Sequence, residues 1–174
     1  MMLKILVSLA TIALVACSQS SEERAAMQSS SQPADAPAAG GDPCSLIPNA
    51  EALIGQPVTA AQATMPNQTV SCQWKAADGR LCGNVTVFGP GWNEVPDVKA
   101  NYVAMTSSLK AFGETQDVSG IGEEAKAVDG GMLGVQLAFR TSSHLALVAA
   151  GCKSDSQTTP ALAEQLAREV AAHL

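Results

Sequence analysis

The stretch "TVSCQWKAADGRLCGNVTVF", residues 69–88, decides how this chain folds. Asp78-Gly79 at its centre is a strong hairpin signal, because glycine readily takes the positive φ that a tight strand reversal needs. With those two residues as the turn, Ala77 opposes Arg80, Lys75 opposes Cys82 and Cys72 opposes Val85. Val70, Cys72, Trp74, Val85 and Val87 then share one face, and Ser71, Gln73, Lys75, Asn84 and Thr86 share the other. Slipping the pairing by one residue would mix the two sets, so burial of the apolar face specifies the register.

On either side of this hairpin the period changes. In "NEVPDVKANYVAMTSSLKAFG" (93–113), Val98, Tyr102, Met105, Leu109 and Phe112 recur at helical spacing between an early proline and a closing glycine. "TTPALAEQLAREVAAHL" (158–174) repeats the pattern with Leu162, Leu166, Val170 and Leu174. A short helix over "NAEALIG" (49–55) has Asn49 as its cap and Gly55 as its stop. "EAKAVDGGMLGVQLAFR" (124–140) predicts a second hairpin with Leu133, Val135, Leu137 and Phe139 pointing inward, and "HLALVAAGC" (144–152) a further strand. The expected fold class is α+β: a single domain in the order α-β-β-α-β-β-β-α, with a largely antiparallel sheet of about five strands covered by helices on one or both faces.

The first sixteen residues have another purpose. One lysine, Lys4, precedes the apolar run Ile5 to Ala16, which is too short to span a bilayer and matches a signal peptide. It closes on Leu14-Val15-Ala16-Cys17, which resembles the bacterial lipobox. That resemblance implies cleavage before Cys17 and acylation of its sulfur, an anchor worth about 0.8 kcal/mol for each buried methylene. Ser18 follows, where aspartate would signal inner-membrane retention. The expected location is therefore the cell envelope: the periplasmic face of the outer membrane in a Gram-negative host, or the exterior of the cell membrane otherwise. Residues 17–41 carry the lipidated cysteine and a Ser/Ala/Gln/Pro/Gly tether without aromatic, valine, isoleucine or leucine side chains, a composition expected to remain disordered. Residues 42–174 are the folded domain.

Four cysteines remain in that domain. An even number in an exported chain predicts two disulfides. The hairpin register turns Cys72 to the apolar face and Cys82 to the other, which disfavours a bond between them. Cys44, just ahead of the first helix, then partners Cys72, leaving Cys82 for Cys152. On the chain-entropy model the two closures add about 3.6 and about 4.4 kcal/mol at most. The absence of a Cys-x-x-Cys motif, and of ligand spacing between a cysteine and His144 or His173, gives no sign of a redox or metal site.

"DPCSLIPNAEALIG" (42–55), "CQW" (72–74), "VSGIGEEA" (118–125) and the closing helix, taken in order, resemble a bacterial lipoprotein family of unknown function best known from actinobacteria. The resemblance spans most of 42–174. It implies an α/β sandwich of the PsbP-like kind and likewise pairs Cys44 with Cys72, while the pair Cys82 and Cys152 departs from the minimal family pattern. The family carries no established activity, so no catalytic residue is transferred.

Composition narrows the remaining functions. Eight basic side chains against thirteen acidic ones in 42–174, with no basic cluster, argue against a nucleic-acid partner. "GIGEEA" lacks the lysine and spacing of a phosphate loop and reads as a glycine turn entering a strand. Glu123 and Glu124, as neighbours in a strand, would point to opposite faces. There is no Gly-x-Ser-x-Gly elbow. Trp92, in the Gly/Pro-rich connection "FGPGWNEVP", is either an exposed part of a binding surface or a lid folded onto the core, whereas Trp74 belongs to the core. The expectation is a non-catalytic binding module without cofactor or metal. It would be held to the membrane through Cys17 and engage an envelope protein, a cell-wall component or a small apolar ligand. The alternative is an enzyme of unrecognised type acting on an envelope substrate.

Overall fold

A computed structural model describes residues 41–131, 134–152 and 158–174. Cys17, nearly all of the tether and Leu133 lie outside the described residues. A 3-10 turn, Pro43–Leu46, opens the domain; Pro43 presets its first φ and the Asp42 carboxylate accepts a bond from Cys44 N at 2.8 Å. Then come α1 (Ala50–Ile54), β1 (Thr59–Thr64), β2 (Val70–Lys75), β3 (Leu81–Phe88), α2 (Val98–Leu109), β4 (Gln116–Asp117), β5 (Glu124–Asp129), β6 (Val135–Arg140), β7 (Leu145–Ala150) and α3 (Thr158–Ala172). The strands form one antiparallel sheet in the order β1-β2-β3-β7-β6-β5-β4.

Strand alternation gives this sheet two apolar faces. Cys72, Trp74, Val85, Leu137, Phe139 and Val148 point to one side, where Leu162, Leu166 and Val170 of α3 and Ile47 and Ile54 of the opening segment cover them. Each fully buried large aliphatic side chain there contributes about 2 kcal/mol. Ala138 and Leu145, of opposite parity, join Val128 beneath Tyr102 and Leu109 of α2. The sheet therefore lies between helices. Asp97 fixes the start of α2 by accepting from Ala100 N at 2.9 Å.

The fold is α+β, with seven strands rather than about five. β1 escapes the pattern because "TAAQAT" has neither alternation nor branched or aromatic side chains, and β4 is two residues long. Asn49 sits at the cap position of α1 without a side-chain capping bond, while Gly55 ends that helix at φ 78°. Phe112 falls beyond the end of α2 and is 45% exposed, so it leaves the buried stripe.

The decisive hairpin differs at its turn. Cys72 faces Val85 and Trp74 faces Gly83, but Lys75 pairs with Leu81 rather than Cys82. Ala76 N bonds to Arg80 O, so the loop is Ala77-Asp78-Gly79, with Gly79 at φ 83°. Three loop residues leave Cys82 as an extra residue on β3, a bulge. Its side chain is buried in the same cluster as Cys72, not on the opposite face. The disulfides join Cys44 to Cys72, with Cα atoms 4.9 Å apart, and Cys82 to Cys152, at 4.0 Å. The bulge thus removes the reason given for disfavouring Cys72 with Cys82, even though that pair is not the one formed.

Candidate functional site around Tyr102 and Arg140

The sequence "SGIGEE" (119–124) makes the turn that assembles this site. Gly122 has φ 59°, and a Cβ there would lie 3.0 Å from the Arg140 carbonyl carbon and 3.3 Å from the Phe139 ring. Only glycine meets both demands comfortably. Glu123 N then bonds to Arg140 O at 2.8 Å, and β5 begins one residue later, with Glu124 paired to Arg140. Because Glu123 precedes the strand, alternation does not separate the two glutamates. Both carboxylates converge on Arg140: Nη1 bonds to Glu123 Oε2, and Nη2 to Glu124 Oε1 at 3.1 Å. Their expected divergence is therefore corrected by where the strand starts.

The Arg140 side chain is only 12% exposed, and its Nε is buried without a protein partner. Tyr102 comes in from α2, and its hydroxyl is also buried and unpartnered. Lys126 reaches Asp117 across the β4–β5 pair. Tyr102, Asp117, Val118, Glu123, Glu124 and Lys126 line a cavity of about 320 Å³. Burial, reinforced by the charges of Glu124 and Asp117, pushes the Tyr102 phenol up to about 12. The hydrogen bond from Arg140 holds Glu124 below the usual carboxylate value, and the same contact pushes Arg140 up.

Trp92 lies elsewhere. It is half-buried and packed against the larger core, and its ring also meets Gly41, where a Cβ would sit 3.0 Å from Cη2. Gly41 N bonds to Gly91 O at 2.9 Å, which ties the Trp92 loop to the segment just ahead of the 3-10 turn. Trp74 is buried in the core.

The same loop approaches the β6–β7 turn. His144 Nε2 lies 3.2 Å from Pro90 O, and Ser143 Oγ lies 2.9 Å from His144 Nδ1. A carbonyl can only accept, which puts a hydrogen on Nε2 and leaves Nδ1 of a neutral ring to accept from Ser143. Gly89 and Pro90 also border a cavity of about 480 Å³ with Glu94, Val95 and Pro96. Among the described residues, no group of three or more His, Cys, Asp or Glu side chains could hold a metal ion.

Sequence reasoning reached Tyr102 only as a helix-stripe residue and Arg140 only as a strand end. The signal was the glutamate pair behind two glycines, which becomes legible once a turn, not a strand, carries Glu123. No family model, curated protein or solved structure matches this chain.

Proposed function

We propose that this chain is a lipid-anchored bacterial envelope lipoprotein whose domain is a non-catalytic binding module. Leu14-Val15-Ala16-Cys17 supports the anchor, and two disulfides suit an oxidising compartment outside the cytoplasm. A sheet between helices is compatible with the PsbP-like sandwich that the resemblance implies.

The observation that carries binding over catalysis is the direction of the charge perturbations around the cavity. A general acid or base works best with its pKa near ambient pH. Tyr102 is pushed up to about 12 and Glu124 is pushed down, both away from neutrality. The cavity is thus lined by ion pairs, Glu123 and Glu124 with Arg140 and Asp117 with Lys126, beside a neutral phenol whose hydroxyl is buried. Such a lining suits a polar group on an envelope protein or cell-wall component better than a small apolar ligand.

Capture from detergent-solubilised envelopes tests this, using wild type, Lys126→Glu and Trp92→Ala. The cavity reading expects a specific partner that Lys126→Glu loses and Trp92→Ala keeps. The reverse pattern moves binding to the Trp92 loop, and no specific partner for wild type contradicts the module.

One contact favours the enzyme alternative: the Ser143 hydroxyl bonded to an imidazole whose other nitrogen is held by Pro90 O. Phosphonylation of Ser143 by a fluorophosphonate probe, in which the Ser143 oxygen bonds to phosphorus and fluoride leaves, lost in Ser143→Ala, would support that reading. An unlabelled wild type would remove it.

A further inference from the structure

β1 is one edge of the sheet, paired with β2 along all six of its residues. Among the described residues, no backbone group outside that ladder bonds to β1. Natural sheets usually blunt such an edge by shortness, charge, bulges or proline within the strand. The opposite edge, β4, is two residues long and carries Asp117 in an ion pair. β1 has none of these devices. It is six residues long, its register with β2 is unbroken, and five of its residues are exposed. Pro57 and Pro66 bracket it without entering it.

Charge adds a second, independent observation. No charged residue occurs between Glu51 and Lys75, so β1 itself carries no charge in a chain of net charge −6; the charges that border it are one of each sign, the Asp42 carboxylate bonded to Gln62 and Lys75 beside Thr59. Two copies of an acidic chain repel overall, and β1 adds no charge of its own to that repulsion. The side chains there are mostly alanine and threonine, small enough for two backbones to meet.

We propose that β1 pairs antiparallel with β1 of a second copy of this chain, joining the two sheets into one. Opposed residues in such a pair share a sheet face, so the two-fold axis must pass through a residue position. Gln62 is already held by Asp42 at 2.8 Å. The axis falls at Ala61, which sets Ala60 against Gln62 and Thr59 against Ala63. The other edge is too short to continue the sheet, so assembly stops at two copies. This pairing does not depend on the lipid anchor, although an anchored pair would also be concentrated in one plane.

The test is sedimentation of the full chain carrying Cys17→Ser, in a concentration series from micromolar to millimolar. The parent chain moves from one copy to two as concentration rises. Ala61→Lys alone and Ala61→Glu alone each stay single, because like charges then meet at the axis, and an equimolar mixture of the two restores the pair. That rescue cannot come from a misfolded variant. A parent chain that stays single throughout, either variant still pairing alone, or a mixture that stays single would overturn the proposal.

Discussion

Tyr102 is the one tyrosine in the chain, so its ionisation can be followed without interference from another phenol. Absorbance at the phenolate band is expected to titrate with a midpoint of about 12, above the ordinary 10.0, because burial opposes the charged form. The unfolded chain loses this proton first. Stability is therefore full below pH 10 and falls as pH rises through about 12. A midpoint near 10 would mean that the ring is open to water. Since the buried hydroxyl has no protein partner, Tyr102→Phe removes an unsatisfied group, and stability should hold within about 0.5 kcal/mol or rise. A loss above about 1 kcal/mol on chemical denaturation would mean that the hydroxyl is bonded in solution. At this scale the sequence conveyed that Tyr102 faces inward, but not that its hydroxyl lacks a partner. Helical spacing reports direction, whereas satisfaction depends on what three separate elements place around the atom.

Two glycines, both at positive φ in turns, differ in what surrounds them. Gly79, at φ 83°, has open space where a Cβ would go, so Gly79→Ala bears only the left-handed strain, about 1 kcal/mol. Gly122, at φ 59°, faces the backbone of Arg140 and the Phe139 ring, so Gly122→Ala adds overlap to strain and should cost at least about 2 kcal/mol. Equal losses in denaturant midpoint for the two variants would contradict the close approach at Gly122. Hairpins with clean alternation were legible from sequence because one buried face permits one register. β1 was not, since an exposed strand of alanine, threonine and glutamine has no face to bury and is held by its ladder to β2. The bulge at Cys82 was hidden for a related reason: two-residue and three-residue loops share the Asp-Gly signal and differ only in which residue closes the turn.

For the whole molecule, the two disulfides span sequence separations of 28 and 70 residues in a domain with few aromatic side chains. Reduction should lower unfolding free energy by up to about 3.6 kcal/mol for Cys44–Cys72 and about 4.4 kcal/mol for Cys82–Cys152, as read from denaturant midpoints of the Cys44→Ala/Cys72→Ala and Cys82→Ala/Cys152→Ala chains. Unchanged midpoints in both would deny these bonds a stabilising role. The α+β class and the antiparallel sheet followed from period and turn chemistry, while the Tyr102–Arg140 site did not, because it depends on the meeting of α2, β5 and β6. Whether the domain is moored outside the cytoplasm rests on one sulfur. Mass spectrometry of the N-terminal peptide from a bacterial membrane fraction tests that directly. Cys17 as the first residue, carrying a diacylglyceryl group, is the predicted result; an uncleaved Met1 end with a free Cys17 thiol would contradict it.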